Sequence, residues 1–236
     1  MGRHPIAVLK LLDRLESFHG PQEPAFPIDP YEFLVWWHCG YPQSDARCAK
    51  GWEALRQEIG INPRQILSAS QQNLAAALKH GGMVPELRAM RLLEIARRVT
   101  GEFGGDLSTL FTGPIAKVRA ALKRFPGIAD PGADRILLFA RAAPVAAVPS
   151  NCAHVLVRIV HGLERENYGV TYRESQHLIQ SEVPEQFYLR QRAYLLLKAH
   201  GQKICKAKPK CGECPVRSIC AYAAGVLRGG GRREGE

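Results

Sequence analysis

The segment FPGIADPGADR, residues 125–135, lies between two stretches whose apolar residues recur at helical spacing. The preceding stretch, GPIAKVRAALKRF, predicts a helix that buries Ile115, Val118, Leu122 and Phe125. The following stretch, GADRILLFARA, predicts a helix that buries Ala133, Ile136, Leu137 and Ala140. The sequence therefore predicts two helices joined by a tight turn, with Ile128 filling the angle between them.

Gly127 lies in this turn, where a glycine permits a positive φ angle and a close approach of another molecule to the backbone. Backbone N–H groups of the turn and of the second helix's N-terminus would form an anion site suited to a DNA phosphate. A plain turn between two helices is an equally good interpretation of the motif alone. The residues expected at a DNA contact are Pro126, Gly127, Ile128, Ala129 and Gly132.

The rest of the chain has the same helical periodicity, and no stretch alternates as a strand would. Further helices are predicted in PIAVLKLLDRLESF, ILSASQQNLAAAL, PELRAMRLLEIARRV and EQFYLRQRAYLLLKAHG. The apolar stripe of the first comprises Ile6, Leu9, Leu12, Leu15 and Phe18, and that of the third comprises Leu87, Met90, Leu93 and Val99. Gly201 is expected just past the end of the last helix. We therefore expect an all-α fold.

The chain of 236 residues carries a net charge of +10. An excess this large favours a polyanionic partner, most often nucleic acid, over a basic surface that only aids solubility. No apolar run is long enough to cross a bilayer, and the N-terminal segment carries charges throughout, unlike a signal peptide. We therefore expect a cytoplasmic protein, associated with the nucleoid if it is bacterial. Nothing indicates an oligomer, so we expect a monomer.

Four of the seven cysteines crowd into CKAKPKCGECPVRSIC, with the spacing C-x5-C-x2-C-x5-C. These candidate metal ligands are Cys205, Cys211, Cys214 and Cys220. Four thiolates suit a structural zinc ion or a [4Fe–4S] cluster, and the spacing leaves both open. The same loop is rich in lysine, and the candidates for contact with a DNA backbone are Lys206, Lys208 and Lys210. A solvated basic surface is the alternative for these lysines.

A hairpin of this type followed by a four-cysteine loop resembles the helix-hairpin-helix (HhH-GPD) DNA glycosylase superfamily. The resemblance is nearest to its endonuclease III and adenine-mismatch glycosylase branches. DPYEFLVWWHCGYPQSD is similar to the opening helix and turn of that family's helical barrel, and RAYLLLKAHGQKICKAKPKCGECPVRSICAY is similar to its cluster segment. The resemblance implies a [4Fe–4S] cluster in place of zinc. It also implies duplex DNA, damaged or mismatched, with a base flipped out between two helical lobes.

The resemblance also implies a division of the chain into two lobes. We expect a helical barrel domain at residues 29–148, with the helix-hairpin-helix at about 114–143. Residues 1–28 and 149–225 would form the iron–sulfur domain, so that the N-terminal helix joins the C-terminal lobe. Residues 226–236, which end in RGGGRREGE, are expected to form a flexible tail.

Departures from the family's pattern fall on its catalytic positions. The first gap of the cysteine motif is one residue shorter than usual, and Ala129 replaces the hairpin's second glycine. The position of the family's nucleophilic lysine is Pro131, and that of its catalytic aspartate is Pro149. Proline has no amine that could form a Schiff base with a sugar and no carboxylate. We therefore expect no lysine-based strand cleavage.

Three interpretations of the chemistry follow. A glycosylase could use another carboxylate to stabilise an oxocarbenium-like transition state, and the candidates are Asp130, Asp134 and Asp45. Their ordinary roles would be a helix cap for Asp130 and a solvated first-turn acid for Asp134.

In the second interpretation, a labile alkylated base leaves without an acid once aromatic rings hold it, and Trp36, Trp37 and Tyr41 are candidates for the pocket wall. Membership of the core is the more common role of such a tryptophan pair. In the third, the protein binds DNA or lesions without catalysis. An RNA-binding or tRNA-modifying iron–sulfur protein is a distant alternative. The favoured expectation is a monofunctional N-glycosylase of base excision repair.

Overall fold

The computed structural model describes residues 7–163 and 165–229. These residues contain helices and no strand, so the predicted all-α fold is confirmed. The helices are α1 Val8–His19, α2 Pro30–Gly40, α3 Asp45–Glu58, α4 Pro63–Ser68, α5 Gln71–Leu78, α6 Pro85–Phe103, α7 Ile115–Leu122, α8 Asp130–Phe139, α9 His154–His161, α10 Tyr168–Glu182, α11 Phe187–Lys203 and α12 Ala221–Gly229. None of the described helices has the length and hydropathy that a bilayer crossing requires.

The chain divides into two compact units. One is Pro24–Ala142, and the other combines Met1–Glu23 with Ala143–Glu236. Both division points lie a few residues before the boundaries expected at 28 and 148. Helix α12 continues to Gly229. The part of the expected tail at residues 230–236, like Ile6 of the first apolar stripe, lies outside the described residues.

The unit Pro24–Ala142 is built around α2, in which every residue from Phe33 to Gly40 is buried. Trp36 and Trp37 belong to this core, with exposed fractions of 2% and 6%. The guanidinium carbon of the buried Arg135 lies 3.6 Å from the centroid of the Phe26 ring in the same cluster. The expectation that the tryptophans line an open pocket wall is therefore wrong, because they pack around an internal cation.

Arg88 ties α6 to the end of α2. Its guanidinium donates to the carbonyl of His38 at 3.1 Å and to that of Tyr41 at 2.9 Å. With Arg88 turned inward, α6 buries Ala89, Leu92, Ile95, Ala96 and Val99. Leu87 and Met90 are 42% and 53% exposed, so the predicted stripe is wrong at these two positions.

Two local predictions also fail. The segment ILSASQQNLAAAL forms parts of α4 and α5, because Ser70 caps a new helix by accepting the backbone N–H of Asn73 at 3.1 Å. Gly201 lies inside α11 and does not end it. A Cβ at Gly201 would lie 2.5 Å from Sγ of Cys152, so this glycine serves close packing.

In the second unit, α1 packs against α11. Its buried residues are Val8, Leu11, Leu12 and Leu15, while Phe18 is 49% exposed, contrary to the predicted stripe. Arg192 of α11 donates to Glu16 at 2.7 Å and to Asp13 at 2.8 Å. These ion pairs and the apolar face hold α1 against α11.

Candidate nucleic-acid interface and cysteine cluster

The predicted hairpin is formed by α7, α8 and the turn between them. Gly127 has a φ of 69°, a left-handed conformation that favours glycine. Ile128 is 5% exposed, and its Cγ2 atom would lie 3.3 Å from a Cβ at Gly132. Glycine at both positions therefore allows the turn to close tightly over an apolar plug. Val118, Leu122, Phe125, Ala133, Ile136 and Leu137 are buried as predicted, whereas Ile115 and Ala140 are only partly buried.

His38 lies beneath this turn. Its ring is 2% exposed, and Nδ1 lies 2.8 Å from the carbonyl oxygen of Leu34. A Cβ at Gly127 would come within 3.3 Å of His38 Nε2 and 3.7 Å of an Arg91 guanidinium nitrogen. Burial, above all, lowers the pKa of His38 to about 4, which keeps the ring neutral near pH 7. The floor of the turn is thus a neutral imidazole with a cation beside it.

Ion pairs join the two helices of the hairpin. Lys123 Nζ lies 2.7 Å from Asp130, and a terminal nitrogen of Arg119 lies 2.8 Å from Asp134. The hydrogen bond from Lys123 holds the pKa of Asp130 below its ordinary value. Both aspartates therefore balance basic residues of α7.

Two expected roles for these aspartates are wrong. Asp134 is 0% exposed and is not a solvated acid, because Arg119 covers its carboxylate. Asp130 is the first residue of α8 and does not cap it, since Ala129 occupies the N-cap position. Asp45, the third candidate carboxylate, is the partly buried first residue of α3, where Ser44 is the cap.

The prolines at the family's catalytic positions differ in setting. Pro131 lies in the first turn of α8, and the buried Pro149 comes just before a short 3₁₀ helix, Ser150–Cys152. Beside that helix is a pocket of about 520 Å³. The lining includes Ser150, Asn151, His154, Arg165, Glu166 and Tyr168. Sequence reasoning missed this pocket because the lining comes from two segments without a recognisable motif.

The four cysteines of the C-terminal motif line one pocket, together with Arg158 and His200. Cys205 follows the end of α11, Cys211 and Cys214 flank a 3₁₀ turn, and Cys220 precedes α12. Arg158 donates to the Lys206 carbonyl at 2.8 Å, which anchors the first loop. The side chains of Lys206, Lys208 and Lys210 are exposed on this loop.

The thiols are close enough to influence one another. Burial raises the pKa of Cys205 to about 11, and the neighbouring Cys220 and Cys214 contribute in the same direction. The Arg158 guanidinium, whose nitrogen lies 3.9 Å from Cys205 Sγ, opposes this rise. Burial likewise raises the pKa of Cys214. Thiolates in this pocket therefore need a cation, such as a metal centre, to be stable.

Among the described residues, no group of three or more histidine, cysteine or acidic side chains has the arrangement that would hold a metal ion. The four thiol side chains nevertheless line one pocket, and such a donor set is of the kind that binds zinc or an iron–sulfur cluster.

No protein-family model matches the chain. Among curated proteins, endonuclease III of Escherichia coli K12 is 29% identical over 216 residues, which cover 91% of this chain and 94% of that protein. The thymine-DNA glycosylase of Aeropyrum pernix is 26% identical over 162 residues, or 68% of this chain and 69% of the relative. The similarity to endonuclease III thus spans both units.

Solved structures give the same fold. An endonuclease III in a non-covalent complex with DNA matches with a TM-score of 0.75 and 16% identity, covering 94% of this chain and 97% of that one. A thermostable thymine-DNA glycosylase matches with a TM-score of 0.70 and 21% identity, over 92% and 96% of the two chains. Together with the hairpin and the all-helical architecture, these similarities bear out the predicted resemblance to the helix-hairpin-helix DNA glycosylase superfamily, and the fold is endonuclease III-like.

Proposed function

We propose that the protein is a base-excision-repair DNA glycosylase that binds damaged or mismatched duplex DNA, flips one base and hydrolyses its N-glycosidic bond. It would do so without lysine-based lyase activity. The observation that carries the proposal is the left-handed turn at Gly127 within an endonuclease III-like fold. The similarity to a thymine-DNA glycosylase and to endonuclease III supports the same role.

DNA binding would rely on the backbone of the hairpin more than on its charged side chains. Arg119 and Lys123 are already paired with Asp134 and Asp130, so their charge is largely balanced within the hairpin. The N–H groups around Gly127 and at the start of α8 would receive a phosphate. Lys206, Lys208 and Lys210 would add contacts to the DNA backbone from the cysteine loop.

The proposed cofactor is a [4Fe–4S] cluster held by Cys205, Cys211, Cys214 and Cys220. The shared pocket of the four cysteines supports a metal centre here, and the similarity to endonuclease III favours this cluster over zinc. A bound cluster would cross-link the ends of α11 and α12 and supply reversible electron transfer. The residues Arg158 and His200 would complete its surroundings.

The absence of lyase chemistry follows from Pro131, which offers no amine at the family's nucleophile position. Pro149 likewise offers no carboxylate, and Asp134 is buried against Arg119. The remaining candidate carboxylates are Asp45 and Asp130, and Asp130 forms an ion pair with Lys123. Base release would then depend strongly on the lability of the base itself, as in a cationic alkylated purine.

A second candidate function is a lesion-binding protein without catalysis. The burial of Asp134 favours it, because this carboxylate is withdrawn from any substrate. The two candidates share the hairpin and the cluster and differ only in bond breakage. An assay that separates binding from cleavage therefore distinguishes them.

The test uses duplexes with different damaged or mismatched bases and an abasic duplex, each incubated with the protein and analysed with and without hot alkali. Borohydride in a parallel reaction traps any Schiff base. We expect breaks only after alkali and no trapped adduct. A trapped adduct would overturn the monofunctional assignment, and binding without breaks in either condition would favour the second candidate. Failure to bind any duplex would overturn both.

A further inference from the structure

Three side chains of the second unit form a hydrogen-bonded row that ends at the cysteine pocket. Nε2 of His19, at the end of α1, lies 3.1 Å from Nδ1 of His200 on α11. On the other edge of the His200 ring, Nε2 lies 3.6 Å from Sγ of Cys214. Neither histidine belongs to the cysteine motif, and the row brings an N-terminal residue to the proposed cluster.

The direction of the protons in this row follows from the chemistry of a ligand thiolate. A sulfur bound to iron has no proton to give, so the nitrogen that faces it must carry one. His200 is 0% exposed, and a buried imidazole whose two ring nitrogens face another imidazole and a sulfur is neutral and carries a single proton. With that proton on Nε2, Nδ1 must accept, and His19 supplies the N–H.

We propose that His200, oriented by His19, donates an N–H···S hydrogen bond to the Cys214 ligand and thereby raises the reduction potential of the [4Fe–4S] cluster. The inference rests on the cofactor proposed above. Hydrogen bonds to ligand sulfurs are among the main determinants of the potential of such clusters. The positive end of an N–H dipole stabilises the added electron of the reduced cluster, so the bond favours reduction.

The arrangement also explains why a histidine is tolerated in this buried position. An imidazole without partners inside the core would carry a desolvation cost for both ring nitrogens. Each nitrogen of His200 instead faces one partner, His19 on one edge and Cys214 on the other. His200 would act as a positioning residue for its ligand, distinct from Arg158, which contacts Cys205.

The experiment measures the cluster's reduction potential by redox titration of the loaded full-length protein, after iron and sulfide have been quantified. The variants are His200→Leu, His200→Gln and His19→Leu. The control is His177→Leu, which alters an exposed histidine on α10. We expect a more negative potential for His200→Leu and a potential near wild type for His200→Gln, whose amide can still donate. His19→Leu should shift the potential less, in the same direction, because the His200 ring loses its fixed tautomer.

Unchanged potentials in His200→Leu and His19→Leu, with full iron content, would overturn this inference alone. If His200→Leu loses its cluster, the reduction potential of His19→Leu becomes the test. An unchanged potential in that variant would overturn the proposed role of the His19–His200–Cys214 row. A shift of equal size in His177→Leu would show that the effect is not specific to the row. Absence of iron and sulfide from the wild-type protein would overturn the cofactor proposal, and the inference with it.

Discussion

A terminal nitrogen of Arg119 lies 2.8 Å from the carboxylate of Asp134, and this contact joins the two helices of the hairpin. The carboxylate is buried, whereas the Arg119 side chain is 36% exposed. The pair therefore joins a desolvated acid on α8 to a cation that remains partly hydrated on α7. The two aspartates of α8 thus neutralise the basic side chains Arg119 and Lys123, which accounts for acidic residues in a basic protein's hairpin.

Asp134→Asn should destabilise the protein by about 2 kcal/mol, the value of a buried hydrogen bond to a charged group. The reason is that Arg119 loses its anionic partner while the site stays buried. Urea unfolding of both proteins at pH 7 measures the difference. The matched variant Asp130→Asn breaks the more exposed pair with Lys123 and should cost at most about 1 kcal/mol. Equal costs for the two variants would contradict the asymmetry of the network.

Gly127→Ala should weaken binding to intact, mismatched and abasic duplexes by a similar factor. The added Cβ requires a left-handed backbone for a non-glycine residue, at a cost of about 1–2 kcal/mol. It also lies 3.3 Å from His38 Nε2, so the turn must shift. Titrations at one fixed salt concentration test this, with Gly101→Ala as the control because no atom lies within 4 Å of its Cβ. Unchanged affinity in Gly127→Ala would remove the hairpin from the DNA interface.

His38 should make the protein less stable in mild acid. Its pKa is about 4 in the folded protein and 6.5 in its ordinary environment, so between these values the unfolded chain binds the proton and the folded chain does not. The free energy of unfolding therefore falls as pH decreases from 6.5 towards 4, by roughly 1 kcal/mol per pH unit for one such group.

Denaturant unfolding across this pH range, compared between wild type and His38→Leu, isolates the contribution of His38. The variant should lose part of the slope, whereas His177→Leu should keep all of it. His200 contributes a slope of the same sign, since its pKa is also lowered to about 4. A slope identical in wild type and His38→Leu would mean that the imidazole is not shielded from protons in solution.

Cys211→Ser should abolish iron binding and lower the melting temperature, because folding of the loop is coupled to its metal centre. Iron content, visible absorbance and thermal unfolding are the measurements. Cys152→Ala is the matched control, since this buried cysteine packs against Gly201 and is not one of the four motif cysteines. It should lose stability while retaining iron. Full iron content in Cys211→Ser would show that the ligand set is wrong.

The hairpin could be predicted from the sequence because its determinants are local. A glycine in a turn and apolar residues at helical spacing on both sides are sufficient, and Gly127 and Ile128 lie as expected. The register of α6 could not be predicted in this way. Arg88 turns inward because the carbonyls at the end of α2, about fifty residues earlier in the chain, need a donor.

The environment of the candidate carboxylates could not be predicted from their sequence neighbours either. Nothing next to Asp134 in the sequence marks it as buried, because the cation that makes burial tolerable, Arg119, comes from the other helix. Likewise, the contact of His19 with His200 joins residues from opposite ends of the chain. The hairpin turn thus lies as expected because its determinants are local, whereas the predictions for α6 and Asp134 failed because a distant partner determines the environment.

The second unit is assembled from both ends of the chain, and this arrangement constrains its biosynthesis. Helix α1 is translated before Pro24–Ala142, whereas its packing partner α11 is translated only after the whole of that unit. The apolar face formed by Val8, Leu11, Leu12 and Leu15 therefore has no native partner during most of elongation. A nascent chain of this protein thus offers chaperones a hydrophobic segment that persists until α11 has been synthesised and the core of the second unit can form.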